Sequence, residues 1–201
     1  MKLPYQELWM ILWCFVNKVP VTQAQDFTDL SEEAVRRWYD RFRAQLPENH
    51  FILKGTIQLD EAYGRGWALI LAKQVGSRNL ASVVLQGRSV QRHQAHEFLQ
   101  QYIAPGSKVH TDGAAIYKQM GQWWPVTHER DLHNQFQFGK TSEIEGMFGC
   151  FRTFVRRMYH HVSAKKLPEY VREFCCRFSS PEMFENPRNY LIKTLSRVPL
   201  D

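Results

Sequence analysis

The sequence predicts an α/β protein: a mixed sheet with flanking helices, preceded by a small helical unit. Three observations lead there. Residues 1–48 carry helical periodicity and no strand pattern. Three β-rich runs then follow one another across glycine-containing turns, and after them strands and helices alternate. With 201 residues, 44% hydrophobic and 23% charged, the chain is long enough for one substantial core and reads as soluble. The net charge of +6 favours a polyanionic partner.

In the helical unit, Pro4 to Asn17 forms the first helix, since proline suits a first turn. Its apolar run from Leu8 to Val16 is too short to span a bilayer, and Glu7, Trp9, Trp13 and Lys18 break a signal-peptide pattern. No membrane is expected. Thr22 to Phe27 is a short second helix. Ser31 caps a third, with Glu32 and Glu33 in its first turn. That helix buries Val35, Trp38, Phe42 and Leu46, and turns Arg36, Arg37, Arg41 and Arg43 elsewhere. Helix, short helix, turn and basic helix outline a helix-turn-helix over residues 1–48. The same outline fits a helical bundle with a solvated basic face, and the segment by itself does not choose.

Residues 49–201 form the second unit. Thr56 to Glu61 alternates and ends in acid, and Trp67 to Lys73 and Ser82 to Leu85 are further strands. A helix spans about Val90 to Ile103. Lys108 to Asp112 is a short strand ending in acid, Gly113 to Met120 is helical, and Trp124 to Thr127 is the last strand. A basic, aromatic helix opens at Thr141 and runs to about His161, burying Ile144, Phe148, Phe151, Val155 and Met158. This succession, β-β-β-α-β-α-β-α, is that of the ribonuclease-H-like fold, with a C-terminal helical extension. There the ends of the first and fourth strands are neighbours, so Asp60 and Asp112 meet although 52 positions apart, and Glu145 reaches them from the last helix.

Three converging carboxylates repel one another unless a cation neutralises them. Hard oxygen ligands select Mg²⁺ or Mn²⁺, and two such ions about 3.5–4 Å apart serve in-line phosphodiester displacement. Asp60 is assigned to bridge both ions, with Asp112 on one and Glu145 on the other. Each acid alone has a plainer explanation: a strand end, a turn, or a capping box of Ser142 with Glu145. Glu61 is expected on the opposite strand face, as a supporting residue. His110, His128, His133, His160 and His161 lack zinc-ligand spacing, and His110 and His128 are given supporting roles. Arg152, Arg156 and Arg157, with Lys165 and Lys166, are expected to follow phosphates beside the site, as are Arg36, Arg37 and Arg41 in the N-terminal unit. Trp123 and Trp124 suit a core, a lid or base stacking. The four cysteines, Cys14, Cys150, Cys175 and Cys176, form no C-x-x-C pair, so a zinc ribbon is absent from this sequence.

With those residues identified, the chain resembles the ISXO-like, Merlin-related bacterial insertion-sequence transposases, a DDE-type family. Leu59-Asp60-Glu61-Ala62-Tyr63 is similar to its first acid motif, and His110-Thr111-Asp112-Gly113 with Tyr117 to the second. Thr141-Ser142-x-Ile144-Glu145-Gly146 resembles the third, usually written Thr-Asn-x-Ile-Glu, so Ser142 stands where asparagine is common. Tyr159-His160, Val162-Ser163, Leu167, Tyr170, Glu173-Phe174 and Arg177 resemble the C-terminal signature. Many relatives also carry an N-terminal zinc ribbon. The resemblance implies DNA-strand cleavage and transfer at element ends, with double-stranded DNA as partner, at least a homodimer on DNA, and a cytoplasmic, nucleoid-associated protein. Alternatives from other classes are an inactive or domesticated DNA-binding relative and a plain nuclease on the same fold.

Overall fold

The structure, a computed structural model, describes residues 3–48, 51–112, 114–130, 141–160 and 162–195. Its centre is a five-stranded sheet in the order β3-β2-β1-β4-β5. The strands are β1 (Thr56–Gly64), β2 (Trp67–Gln74), β3 (Leu80–Gln86), β4 (Lys108–Thr111) and β5 (Thr127–Arg130). The first three form an antiparallel meander, and β4 and β5 add in parallel beside β1. This is the ribonuclease-H-like arrangement. Gly64 pairs with Trp67 across a two-residue turn in which Gly66 takes a φ of 82°, a conformation that favours glycine.

Helices cover both sheet faces, which explains why Ala68 to Lys73 of β2 are all buried. On one face α4 (Arg92–Tyr102) supplies Ala95, Phe98 and Leu99 to a core with Ile57, Leu59, Ile70 and Val109. On the other, α6 (Ser142–Tyr159) and α7 (Leu167–Ser179) bring Ile144, Phe148, Phe151, Val171 and Phe174 against Leu69, Leu71 and Leu80. Strand alternation does the sorting: Ile57 and Leu59 of β1 enter the first core, while Gln58 and Ala62 face α6 and α7. Each fully buried Leu, Ile or Phe contributes about 1.5–3 kcal/mol.

Two segments differ from the sequence reading. The expected helix from Gly113 to Met120 is a 3-10 turn at Ala115–Tyr117, followed by α5 (Met120–Trp123). The last strand begins at Thr127, not Trp124, because the Trp124 indole donates to the Ile103 carbonyl at 3.2 Å and the chain turns there before it pairs. Trp123 and Trp124 both pack on the α4-side core. Gly113, His133 and His161 lie outside the described residues.

The N-terminal helices are α1 (Tyr5–Val16), α2 (Val21–Phe27) and α3 (Glu32–Ala44), the last capped as expected by Ser31, whose Oγ accepts from the Ala34 amide. Ile11, Phe15, Val35 and Tyr39 share one core with Met158, Tyr159, Tyr170 and Cys176, and with Tyr190 of α8 (Pro187–Leu195). Arg43, read as lying off the buried face, is only 1% exposed. Its guanidinium donates to Glu173 Oε2 at 2.9 Å, and the Tyr159 hydroxyl donates to the same oxygen at 2.6 Å. Arg177 donates to Glu173 Oε1 at 2.8 Å and to the carbonyls of Phe15 and Val16, satisfying the open C-terminal end of α1. Lengthwise contact along α3 and α7 thus rests on one carboxylate between two guanidiniums.

Burial alone would push the Glu173 carboxyl up, but the charges of Arg177 and Arg43 outweigh it and hold it below the usual range. A carboxyl depressed on folding stabilises above its unfolded value and loses that contribution as pH falls through the folded one. Glu173→Gln, which takes the carboxylate from buried Arg177 and leaves buried Arg43 only Asp40 at 2.5 Å and Glu169 at 3.8 Å, is expected to cost about 3–5 kcal/mol in urea unfolding at pH 7, and less at acid pH.

Candidate metal centre and its basic flank

The acids are brought together by parallel pairing. β1 and β4 pair at Thr56 with Lys108, Ile57 with Val109 and Gln58 with His110. The constant offset carries two positions further to Asp60, midway along β1, and Asp112, one residue past the C-terminal end of β4, the kind of strand end at which open α/β sheets expose ligand-binding groups. Thr111 closes β4 with its hydroxyl 2.9 Å from His128 Nε2 on β5, and Asp112 Oδ1 accepts from the Ala114 amide at 2.9 Å. The turn leaves the second aspartate opposite the first.

Carboxylate oxygens of Asp60, Glu61 and Asp112 lie within 4.8 Å of one another. Glu61, the next residue on β1, joins them although β1 stays paired with β2 there, Asp60 opposite Leu71 and Glu61 opposite Ile70; β4 no longer pairs with β1 beyond Gln58. Asp60 Oδ1 folds back to accept from the Glu61 amide at 2.8 Å. Glu61 Oε1 is buried without a hydrogen-bond partner. Desolvation, then the charges of Asp60 and Asp112, push the Glu61 carboxyl up to about 8. A buried, unsatisfied oxygen in a knot of like charges is the donor set that a hard divalent cation relieves, so these residues fit one.

Glu145 lies outside that cluster. The helix begins at Ser142 with Thr141 as its N-cap, so Ser142 and Glu145 do not form the box that their spacing suggests. Instead the Thr141 hydroxyl donates to Glu145 Oε1 at 2.9 Å, and the Glu145 side chain is exposed. Its helix start is nevertheless fixed on the sheet. The Ile144 amide donates to Gln58 Oε1 at 2.9 Å, two residues before Asp60, and the largely buried Lys73 ammonium pairs with Glu143. Gln58, Lys73 and Glu143 carry no motif signal and were legible only as ordinary polar positions.

The supporting residues sort by location. His110 Nε2 stands 3.5 Å from Glu129, on the strand next to the acids. His128 is held neutral: burial, then the charges of Arg130 and His110, lower its pKa to about 4. A groove of about 320 Å³ starts at Ala62 and Tyr63, just past the acids, and follows α6 along Arg152, Arg156 and His160. Arg152 and Arg156 are exposed there, as are Arg157 on the other flank of the helix and Lys165 beyond its end. Lys166 is tied to Asp40 at 3.2 Å and Glu169 at 3.1 Å. On α3, Arg36 pairs with Glu32, Arg37 with Glu33 at 3.6 Å, and Arg41 lies 4.6 Å over Trp38. Tyr159 sits at the far end of α6, in the Glu173 network rather than beside the acids. Among the described residues, no helix is long and apolar enough to cross a membrane.

A family model described as the ISXO2-like transposase domain matches residues 68–179, just over half of the chain. The match takes in Asp112 and Glu145 and begins shortly after Asp60 and Glu61. No curated protein matches the chain.

Because the folded Glu61 carboxyl titrates above its unfolded value near 4.5, the metal-free protein loses stability as pH rises between about 4.5 and about 8. In chelator, thermal melts of Glu61→Gln should show a flatter pH profile and a higher midpoint than the parent at pH 8. Parallel profiles for the two proteins would contradict this electrostatic account.

Proposed function

We propose, because the chain belongs to the ISXO2-like transposase domain family, that it cuts DNA at the ends of an insertion sequence and joins the freed 3′-hydroxyl to target DNA. One observation carries the reading: Asp60, Glu61 and Asp112 converge on one point beside the C-terminal end of β4. Asp60 and Asp112 would hold divalent cations, Mg²⁺ or Mn²⁺ and two in number, with Glu145 as the ligand from α6. Bound there, the cations supply Lewis-acid activation of the attacking oxygen and stabilisation of the leaving one. Glu61 keeps a proton on its carboxyl while the pocket lacks a cation and becomes a further oxygen donor once its neighbours' charge is offset.

The remaining residues bind and orient. Arg152 and Arg156 hold phosphates in the groove that starts beside the acids, giving affinity without sequence information. Lys165, and Arg36, Arg37 and Arg41 on the N-terminal helices, extend this contact to duplex flanking the cut. His128, neutral and hydrogen-bonded to Thr111, fixes the turn that presents Asp112. Ser142 replaces the asparagine of relatives at the start of α6. Two copies would hold two element ends together. The exposed, separate position of Glu145 favours a second reading, a DNA-binding relative that does not cut; a plain nuclease would hydrolyse without joined products.

Asp60→Asn and Asp112→Asn should each abolish Mg²⁺- or Mn²⁺-dependent cleavage and strand transfer while leaving duplex binding within about twofold of the parent. Strand transfer retained by either purified variant would refute the assignment. Arg152→Ala and Arg156→Ala should weaken duplex binding irrespective of sequence, each lowering the slope of log K against log salt by about 1.

A further inference from the structure

Helix α6 has two flanks, and only one faces the groove that leads to the acids. Along the other, α6 and α7 enclose a cavity of about 680 Å³, more than twice the volume of that groove and well within the size of clefts that take small organic groups. Gly146, Gly149 and Thr153 line it along α6. A Cβ added to either glycine would meet nothing within 4 Å, so the space above those turns is open. The walls are aromatic: Phe154 and Phe178 are only half-buried and line the cavity with Phe174.

The rim is cationic. Lys18, Arg78 and Arg157 are all exposed, no carboxylate lines the cavity, and among the described residues none of the three is ion-paired. Lys18 is held in a positive-φ conformation (58°) at the end of α1. Burial, then the positive fields of Arg177 and Arg157, lower its ammonium pKa. Arg177 is itself spent on Glu173 and on the end of α1. Cations gathered without counter-ions around an aromatic-walled hollow complement an anionic chain that carries flat apolar groups. A duplex presents phosphates but keeps its bases stacked inside, out of reach of such walls. An unpaired strand presents both.

We propose that the cavity between α6 and α7 is a binding site for single-stranded DNA, seating an unstacked base against Phe154 and Phe178 with its phosphates on Lys18, Arg78 and Arg157. The proposal rests on the transposase reading only for the origin of the strand, which a cut end supplies. Gly146 directly follows Glu145, so a strand leaving the cut can pass to this flank of α6 while the duplex stays on the Arg152 and Arg156 flank.

Cys150 makes the test direct. It lines the cavity and is exposed, whereas Cys14, Cys175 and Cys176 are buried, so a maleimide reads out Cys150. In the full chain, saturating oligo(dT) should slow alkylation of Cys150 at least tenfold, while blunt duplex and heparin, a polyanion without bases, should slow it little. Thr153→Trp, at an exposed position lining the cavity, should lower oligo(dT) affinity at least tenfold by fluorescence anisotropy, with unchanged circular dichroism and parent-like duplex binding. Lys18→Glu offers a second variant should the tryptophan disturb folding. An unchanged alkylation rate under saturating oligo(dT) would overturn the proposal. So would equal protection by heparin, which signals a charge patch alone, or protection by polyglutamate in place of DNA, which signals a protein partner. Mg²⁺-dependent cutting of duplex ends is scored separately. Protection without cutting keeps this site and removes the transposase reading; cutting without protection does the reverse.

Discussion

Three register pairs between β1 and β4 hold the molecule in its useful arrangement. Parallel pairing keeps a constant offset, so joining Gln58 to His110 also sets Asp60 opposite Asp112, beyond the last paired residues. A slip of one residue would turn one aspartate to the other face of the sheet. Parallel strands need a long crossover, and here it is supplied by β2, β3 and α4. Much of the central domain is therefore the connection that lets two short segments lie side by side. The two sheet-facing cores fix that connection from both sides, because β2, buried on both faces, leaves neither layer room to shift.

Bringing acids together has an electrostatic cost, and its trace is visible in Glu61. Its carboxyl is pushed up to about 8, by burial first and by Asp60 and Asp112 second. The fold tolerates this because the surrounding structure is overdetermined. Gln58, on the strand that carries Asp60, also anchors the Ile144 amide at the start of α6. Lys73, the register partner of Gln58 on β2, pairs with Glu143 on the same helical turn. Two adjacent strand residues thus grip two adjacent helix residues. Through that grip the helix bearing Glu145, Arg152 and Arg156 is indexed to the strand bearing Asp60, although the acid of the helix stays outside the compact cluster.

What was legible in the sequence follows from how local each signal is. The order of strands and helices was readable because period-two and period-3.6 patterns are carried by neighbouring residues. The meeting of Asp60 and Asp112 was readable because topology, once named, fixes register. Alternation puts Glu61 on the opposite face, yet its carboxylate oxygen lies within 4.8 Å of those of Asp60 and Asp112. Alternation fixes where Cβ points and not where a flexible glutamate side chain ends; β1, with nine residues against the four of β4, overhangs its partner there. The last strand was displaced because Trp124 has strand-like propensity but spends its indole N–H on Ile103. Gln58, Lys73 and Glu143 were invisible, as their meaning lies wholly in contacts across the sheet. The C-terminal signature residues Tyr159, Glu173 and Arg177 were read for their motif alone, and prove to form the buried network that joins α7 to the N-terminal helices.

Arginine shows most clearly why composition understates function. The same side chain has opposite fates in this chain, decided by whether a fully buried acid is within reach. Arg43 and Arg177 share Glu173, which is 0% exposed, and their charge is consumed in holding α3 and the end of α1 to α7. Stripping such a residue of its partner would leave a charge in a low-dielectric interior, so neither is available to a ligand. Arg36 and Arg37 are tied more loosely to acids one turn away on α3. Arg152, Arg156 and Arg157 lie at the surface along one helix, and they flank it on both sides. Net charge counts all of these alike. The field that a polyanion would meet is set by the last group, and it is concentrated on the helix whose first turn is bonded to the strand that bears Asp60.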